Sequence, residues 1–183
     1  MNRVIYKKFK AVMTGWDYEK YWTCRENLFN PKASRIVKLY SKYYISKVNR
    51  KQNADIAYDT FGKDNFKGRP ILGHKLNGII IAAGAVIGKN CFLSHQVTIG
   101  RSNGGAPVIG DNVYIGPGAK IFGDINVGDN VRIGANCIVF EDIPNNATVV
   151  LTKPKIIIKE EGYSYFVSVP DERIPEEQKR NCK

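Results

Sequence analysis

His74 and His95 are the only histidines in the 183 residues, and histidine is the side chain best suited to move a proton near neutral pH. An imidazole can take the proton of an alcohol, so the chemistry these two suggest is activation of a hydroxyl group. Two imidazoles are too few for a three-histidine metal centre. The four cysteines, Cys24, Cys91, Cys137 and Cys182, show no paired ligand spacing, so no catalytic metal is expected. The cysteines are read as reduced thiols of a cytoplasmic protein. The first ten residues, MNRVIYKKFK, place charge where a secretory signal would need an apolar stretch, and no apolar run is long enough to span a bilayer.

The element that must position the histidines is a repeat. An apolar residue returns at every sixth position from Ile81 to Ile99 and again from Ile109 to Val139, with one ten-residue step between the two runs. A second row of small or apolar residues stands two places earlier, from Ile79 and Ala85 to Val131 and Cys137. Neither a helix nor an ordinary strand produces a period of six. The spacing predicts a hexapeptide solenoid, in which three short strands make one triangular coil of eighteen residues and stacked coils bury a continuous core. The four extra residues, within Arg101 to Pro107, are expected to loop out, and a Gly-rich loop on a rigid scaffold is a usual place for function.

The phase of the repeat assigns places to the chemistry. His95 lies two residues after the inward Leu93, at a coil corner. One coil back is Asn77, and one coil forward, allowing for the loop, is Pro117. These three are expected along one edge, with His74 just ahead of Asn77 and both imidazoles at one cleft. Asn77 and His95 are accordingly candidate substrate-binding residues.

Three regions are expected: a helical segment over 1–52, the solenoid over 53–150, and capping strands with a tail over 151–183. Residues 1–51 carry 13 Lys+Arg against 3 Asp+Glu, which is most of the chain's net charge of +11. Asp17 to Phe29 reads as a short amphipathic helix. Asn30 and Pro31 read as the cap and first turn of a longer helix to about Lys51, with Ile36, Leu39, Tyr40, Tyr43 and Val48 facing the body. Basic residues interleaved with Trp16, Tyr18, Tyr21, Trp22 and Phe29 also suit a peripheral membrane contact, although packing of these aromatics on the solenoid or between subunits is the preferred reading. No nucleic-acid-binding motif occurs, and nucleic acid is not an expected partner. Asn53 to Gly62 begins the first coil with Ile56 and Phe61 inward, residues 63–77 interrupt the repeat, and Lys155–Lys159 and Tyr163–Val169 read as strands closing the open end.

The segments HKLNGIIIAAGAVIG, SHQVTIG and APVIGDNVYIGPGAKIFGDINVGDNVRIGANCIVFEDIP together resemble the hexapeptide acyltransferases, specifically the serine acetyltransferase branch. The resemblance covers about residues 53–150. It implies a left-handed parallel β-helix, a homotrimer, and acetyl-CoA bound between neighbouring solenoids. It implies His74 as general base and Asp55 as its orienting carboxylate, with Asp59 as second candidate. Small residues lining the acetyl-CoA site map onto Pro117, Gly118, Ala119 and Ala135. The chain departs from the branch in three places: Ala106 stands where the extruded loop carries a second histidine, the helical N-terminal domain is reduced to about fifty residues, and the Gly-x-Pro-Ala turn becomes Thr152-Lys153-Pro154-Lys155. The first departure removes a polar contact to a zwitterionic acceptor. Two acceptors therefore remain open, serine and a sugar hydroxyl of cell-surface polysaccharide synthesis. A non-catalytic trimeric scaffold is the reading of another class.

Overall fold

The computed structural model describes residues 16–57, 64–102 and 104–159. Strands of two or three residues wind into a left-handed parallel β-helix with three faces. The first face stacks β1 (Asp55–Ile56), β3 (Ile80–Ile81), β6 (Thr98–Gly100), β9 (Lys120–Phe122) and β12 (Ile138–Val139). The second stacks β4 (Val86–Ile87), β7 (Val108–Ile109) and β10 (Asn126–Val127). The third stacks β2 (Ile71–Leu72), β5 (Phe92–Leu93), β8 (Tyr114–Ile115), β11 (Arg132–Ile133) and β13 (Thr148–Val149).

A strand this short turns one side chain out and the next in, so one residue per strand and the residue two places before it fill the interior. Both inward rows are buried along their whole length, from Ile79 and Ile81 to Cys137 and Val139. Corners between faces are closed by residues in the left-handed backbone region. At the corner from second to third face these are Asn90, Asn112, Asn130 and Asn146, with φ between 54° and 61°. Their amides form a ladder: each Nδ2 donates to the Oδ1 of the next, over 2.7, 3.2 and 3.0 Å. Gly88 and Gly110 stand on successive coils of the same corner, where a Cβ on Gly88 would run into the Gly110 carbonyl oxygen.

The first coil extends beyond the sequence expectation. Residues 64–72 do not interrupt the repeat but complete it: Phe66 bridges to Ile87, and Ile71 and Leu72 pair with Phe92 and Leu93. Ile56 is inward and buried, whereas Phe61 lies outside the described residues. At the other end, Lys155–Lys159 forms no strand, contrary to expectation, and Tyr163–Val169 lies outside the described residues. The described residues up to Leu151 belong to one compact unit, and Thr152 begins a second.

Two helices close the first-coil end. Helix α1 (Tyr18–Phe29) starts at Asp17, whose carboxylate accepts from the Lys20 N–H at 3.1 Å. Helix α2 (Arg35–Lys51) starts at Ser34 rather than at Pro31, with the Ser34 hydroxyl accepting from the Val37 N–H. Asn30 instead folds a local turn by accepting from the Lys32 N–H at 2.9 Å. The buried side of α2 is Ser41, Ile45, Val48 and Asn49. Of the side chains expected against the body, only Val48 is there; Ile36, Leu39, Tyr40 and Tyr43 are 80, 71, 49 and 58% exposed. Polarity hides the true inner face: Ser41 is small enough for close helix approach, and Asn49 is satisfied by the Tyr21 hydroxyl, which donates to its Oδ1 at 2.9 Å. Trp22, Tyr21 and Cys24 pack in the core from α1. Arg25, fully buried, donates to Asp64 at 2.5 Å and to the Ala57 carbonyl at 3.1 Å, clamping α1 to the first coil.

Candidate active site

The corner from third to first face is where the histidines sit, and its first turn is enlarged. Later coils use four residues there (94–97, 116–119, 134–137), but seven lie between β2 and β3. Upstream of the turn, Ile71 stands opposite Phe92, which in register sets His74 over His95. Downstream, Ile80 stands opposite Thr98, which sets Asn77 over His95. Three inserted residues thus bring both an imidazole and an amide to the same neighbour.

The rings of His74 and His95 meet edge to face with centroids 5.0 Å apart. His74 is exposed, and His95 is half-buried with its Nδ1 shielded from solvent and without a hydrogen-bond partner among the described residues. The edge continues as expected: the Gln96 N–H donates to the Asn77 carbonyl at 2.8 Å, Gly118 to that of His95 at 3.0 Å, and Asn136 to that of Pro117 at 2.8 Å. Asn77, His95, Pro117 and Ala135 therefore form one column.

His74 opens onto a cleft of about 750 Å³ whose wall includes Asn77, Lys75, Gln52, Trp16 and Tyr18. The two aromatics come from the helical segment. The sequence marks them only as members of an aromatic cluster, because the six-residue period does not extend to them. Tyr18 is anchored by donating its hydroxyl to the Pro70 carbonyl at 2.9 Å, and burial raises its pKa above the usual phenol value.

A second, smaller groove of about 380 Å³ runs beside the same edge on the first face, lined by Gly78, Gln96, Thr98, Gly118, Lys120 and Asn136 among others. Gly78, Gln96, Gly118 and Asn136 all have positive φ, between 56° and 70°. At Gly118 a Cβ would strike the Asn136 side-chain oxygen, so glycine keeps this wall open. Ala119 stands beside this wall on the inward row, with its methyl fully buried inside the solenoid.

Asp55 is exposed on the first face, opposite Ile80, and no hydrogen bond joins it to either imidazole among the described residues. Asp59 lies outside the described residues. The extruded turn folds on itself, with Ser102 and Gly105 exchanging N–H to carbonyl bonds of 3.0 and 3.3 Å, and Ala106 packs partly against the core. This turn leaves the corner between first and second faces, a different edge from the histidines.

Residues 106–141 match the family model "Bacterial transferase hexapeptide (six repeats)". Over its solenoid the chain is similar to serine acetyltransferases. It is 43% identical over 97 residues to the serine acetyltransferase of Buchnera aphidicola from Schizaphis graminum, covering 50% of this chain and 37% of that protein. Its identity to the Staphylococcus aureus (strain Mu50) serine acetyltransferase is 38% over 103 residues, 51% of this chain and 48% of that one. Among solved structures, Entamoeba histolytica serine acetyltransferase 1 in complex with L-cysteine matches with 33% identity and a TM-score of 0.51, over 61% of this chain and 44% of that chain. Isoform 3 from the same organism, in complex with cysteine, matches with 27% identity and a TM-score of 0.56, over 78% and 61%. The chain spans less than half the length of these curated relatives.

Proposed function

We propose that this chain is an acetyl-CoA-dependent O-acetyltransferase that acetylates the hydroxyl of a small acceptor, with serine as the first candidate. The observation that carries the reading is the His74–His95 contact at an enlarged corner opening onto a cleft, on a solenoid similar to those of serine acetyltransferases. His74, exposed to the cleft, accepts the hydroxyl proton as the oxygen attacks. His95 and Asn77 hold the acceptor beside it. Asp55 is proposed as the carboxylate that orients the base.

Acetyl-CoA, as co-substrate, supplies the acetyl group to the attacking oxygen and departs as the free thiol. The groove beside the histidine edge suits such a ligand: glycine at 118 keeps its wall low, Pro117 and Ala135 keep the edge small, and Lys120 adds a cation complementary to phosphate. Holding both reactants in adjoining clefts supplies much of the rate. The protein is further proposed to act as a homotrimer in the cytoplasm, with no metal in its site.

A second reading, a sugar hydroxyl as acceptor, is favoured by the Trp16 and Tyr18 wall, since aromatic surfaces suit the apolar face of a pyranose, and by Ala106 in place of a loop imidazole. Thiol release from acetyl-CoA, measured against serine, homoserine and a set of hexoses, separates the readings. Release with serine is expected under the first and with sugar alone under the second. No release with any acceptor would overturn both in favour of a scaffold.

A further inference from the structure

The outward side of α2 is at odds with a helix that merely caps a solenoid. Ile36, Leu39, Tyr40 and Tyr43 follow each other at helical spacing of three or four residues, opposite the buried Ser41, Ile45, Val48 and Asn49, and all four are exposed. The same outward side continues into Lys47 and Arg50, both exposed. Lys47 places its ammonium 5.9 Å from the centre of the Tyr43 ring. Over its seventeen residues α2 carries six Lys or Arg and no Asp or Glu.

From this placement we infer that α2 is a docking helix for an anionic membrane surface, lying in the headgroup layer with Ile36, Leu39, Tyr40 and Tyr43 inserted and Lys47 and Arg50 against lipid phosphates. Charge chooses the occupant. A second copy of this face would set Lys47 and Arg50 against their counterparts with no acid on the helix to offset them, whereas anionic headgroups complement that charge while the layer beneath accepts the apolar stripe. Tyrosine suits this depth, having an apolar ring and a polar tip. The association is peripheral, because no helix among the described residues is long and apolar enough to cross a membrane. The inference does not depend on the acetyltransferase reading.

Co-sedimentation of the full chain with vesicles tests it. Binding is expected to phosphatidylcholine vesicles containing phosphatidylglycerol, to weaken as salt is raised, and to be absent with phosphatidylcholine alone. The double variants Leu39→Glu/Tyr43→Glu and Lys47→Glu/Arg50→Glu are each expected to lower binding by at least about tenfold, as loss of inserted apolar area or of paired cations would. Both pairs are on the side away from the core, so the helical circular dichroism should be unchanged; should the first variant unfold, the charge variant decides alone. Equal binding to neutral vesicles, or variants that bind as tightly as the parent, would overturn the inference. So would a Leu39→Glu/Tyr43→Glu variant that changes the oligomer mass while leaving vesicle binding intact, because the face would then be a contact between copies.

Discussion

His74 owes its place to backbone register, because nothing among the described residues holds its side chain by a hydrogen bond. Its ring meets that of His95 edge to face, at 5.0 Å between centroids, and the residue is exposed. Such a residue contributes little to folding, so its removal should separate catalysis from stability. His74→Ala is expected to lower kcat/KM by roughly 10²- to 10⁴-fold, the usual worth of a general base, with the urea midpoint unchanged. Steady-state thiol release and a urea titration on the same sample check this. Near-parental turnover would remove His74 from the role. His95 differs in kind: its Nδ1 is shielded from solvent and has no hydrogen-bond partner among the described residues.

At the scale of elements, the asparagine ladder is a stabilising device that can be isolated. Asn112 combines a φ of 58° with two ladder bonds, donating to Asn130 and accepting from Asn90. Asn112→Ala forfeits both and places a Cβ residue in the left-handed region without compensation. The expected loss is about 2 kcal/mol, read from chemical denaturation. Helix α1 allows a second test. Burial pushes the Tyr21 phenol up to about 12. The folded state thus holds its proton more tightly than the unfolded chain, so the associated stability is fully present below pH 10 and is lost as pH rises through about 12. Tyr21→Phe should lose about 1 kcal/mol at neutral pH, with its bond to Asn49, yet fall less steeply than the parent across that alkaline window. These elements also show which parts of the fold the sequence reveals. The inward rows were legible because a strict period leaves few alternatives. The first coil was hidden, because the same insertion that seats His74 shifts its partners from 18 residues away, as for Ile80 and Thr98, to 21, as for Ile71 and Phe92. The inner face of α2 was hidden by Ser41 and Asn49, whose polarity reads as surface until their neighbours are known.

Across the whole molecule, the two features that suggest chemistry do not share an edge. The histidines stand between third and first faces, and the extruded turn stands between first and second. One triangular column cannot bring two of its own edges to one substrate, but two columns side by side can, with the histidine edge of one facing the turn of its neighbour. This is a physical reason to propose that the working unit holds more than one copy of the chain. It also defines an experiment that oligomer mass alone would not provide. Deleting residues 102–105 leaves three residues between β6 and β7, the same number that separates β9 from β10, so the solenoid should close undisturbed. That variant and His74→Ala are each expected to be inactive. Co-refolded in equal amounts, they form mixed assemblies in which an intact His74 from one chain faces an intact turn from another, and a measurable share of parental thiol release should return. Each variant refolded alone is the control and should remain inactive. If the mixture stays as inactive as its components although mixed assemblies form, the turn and the histidine belong to separate functions.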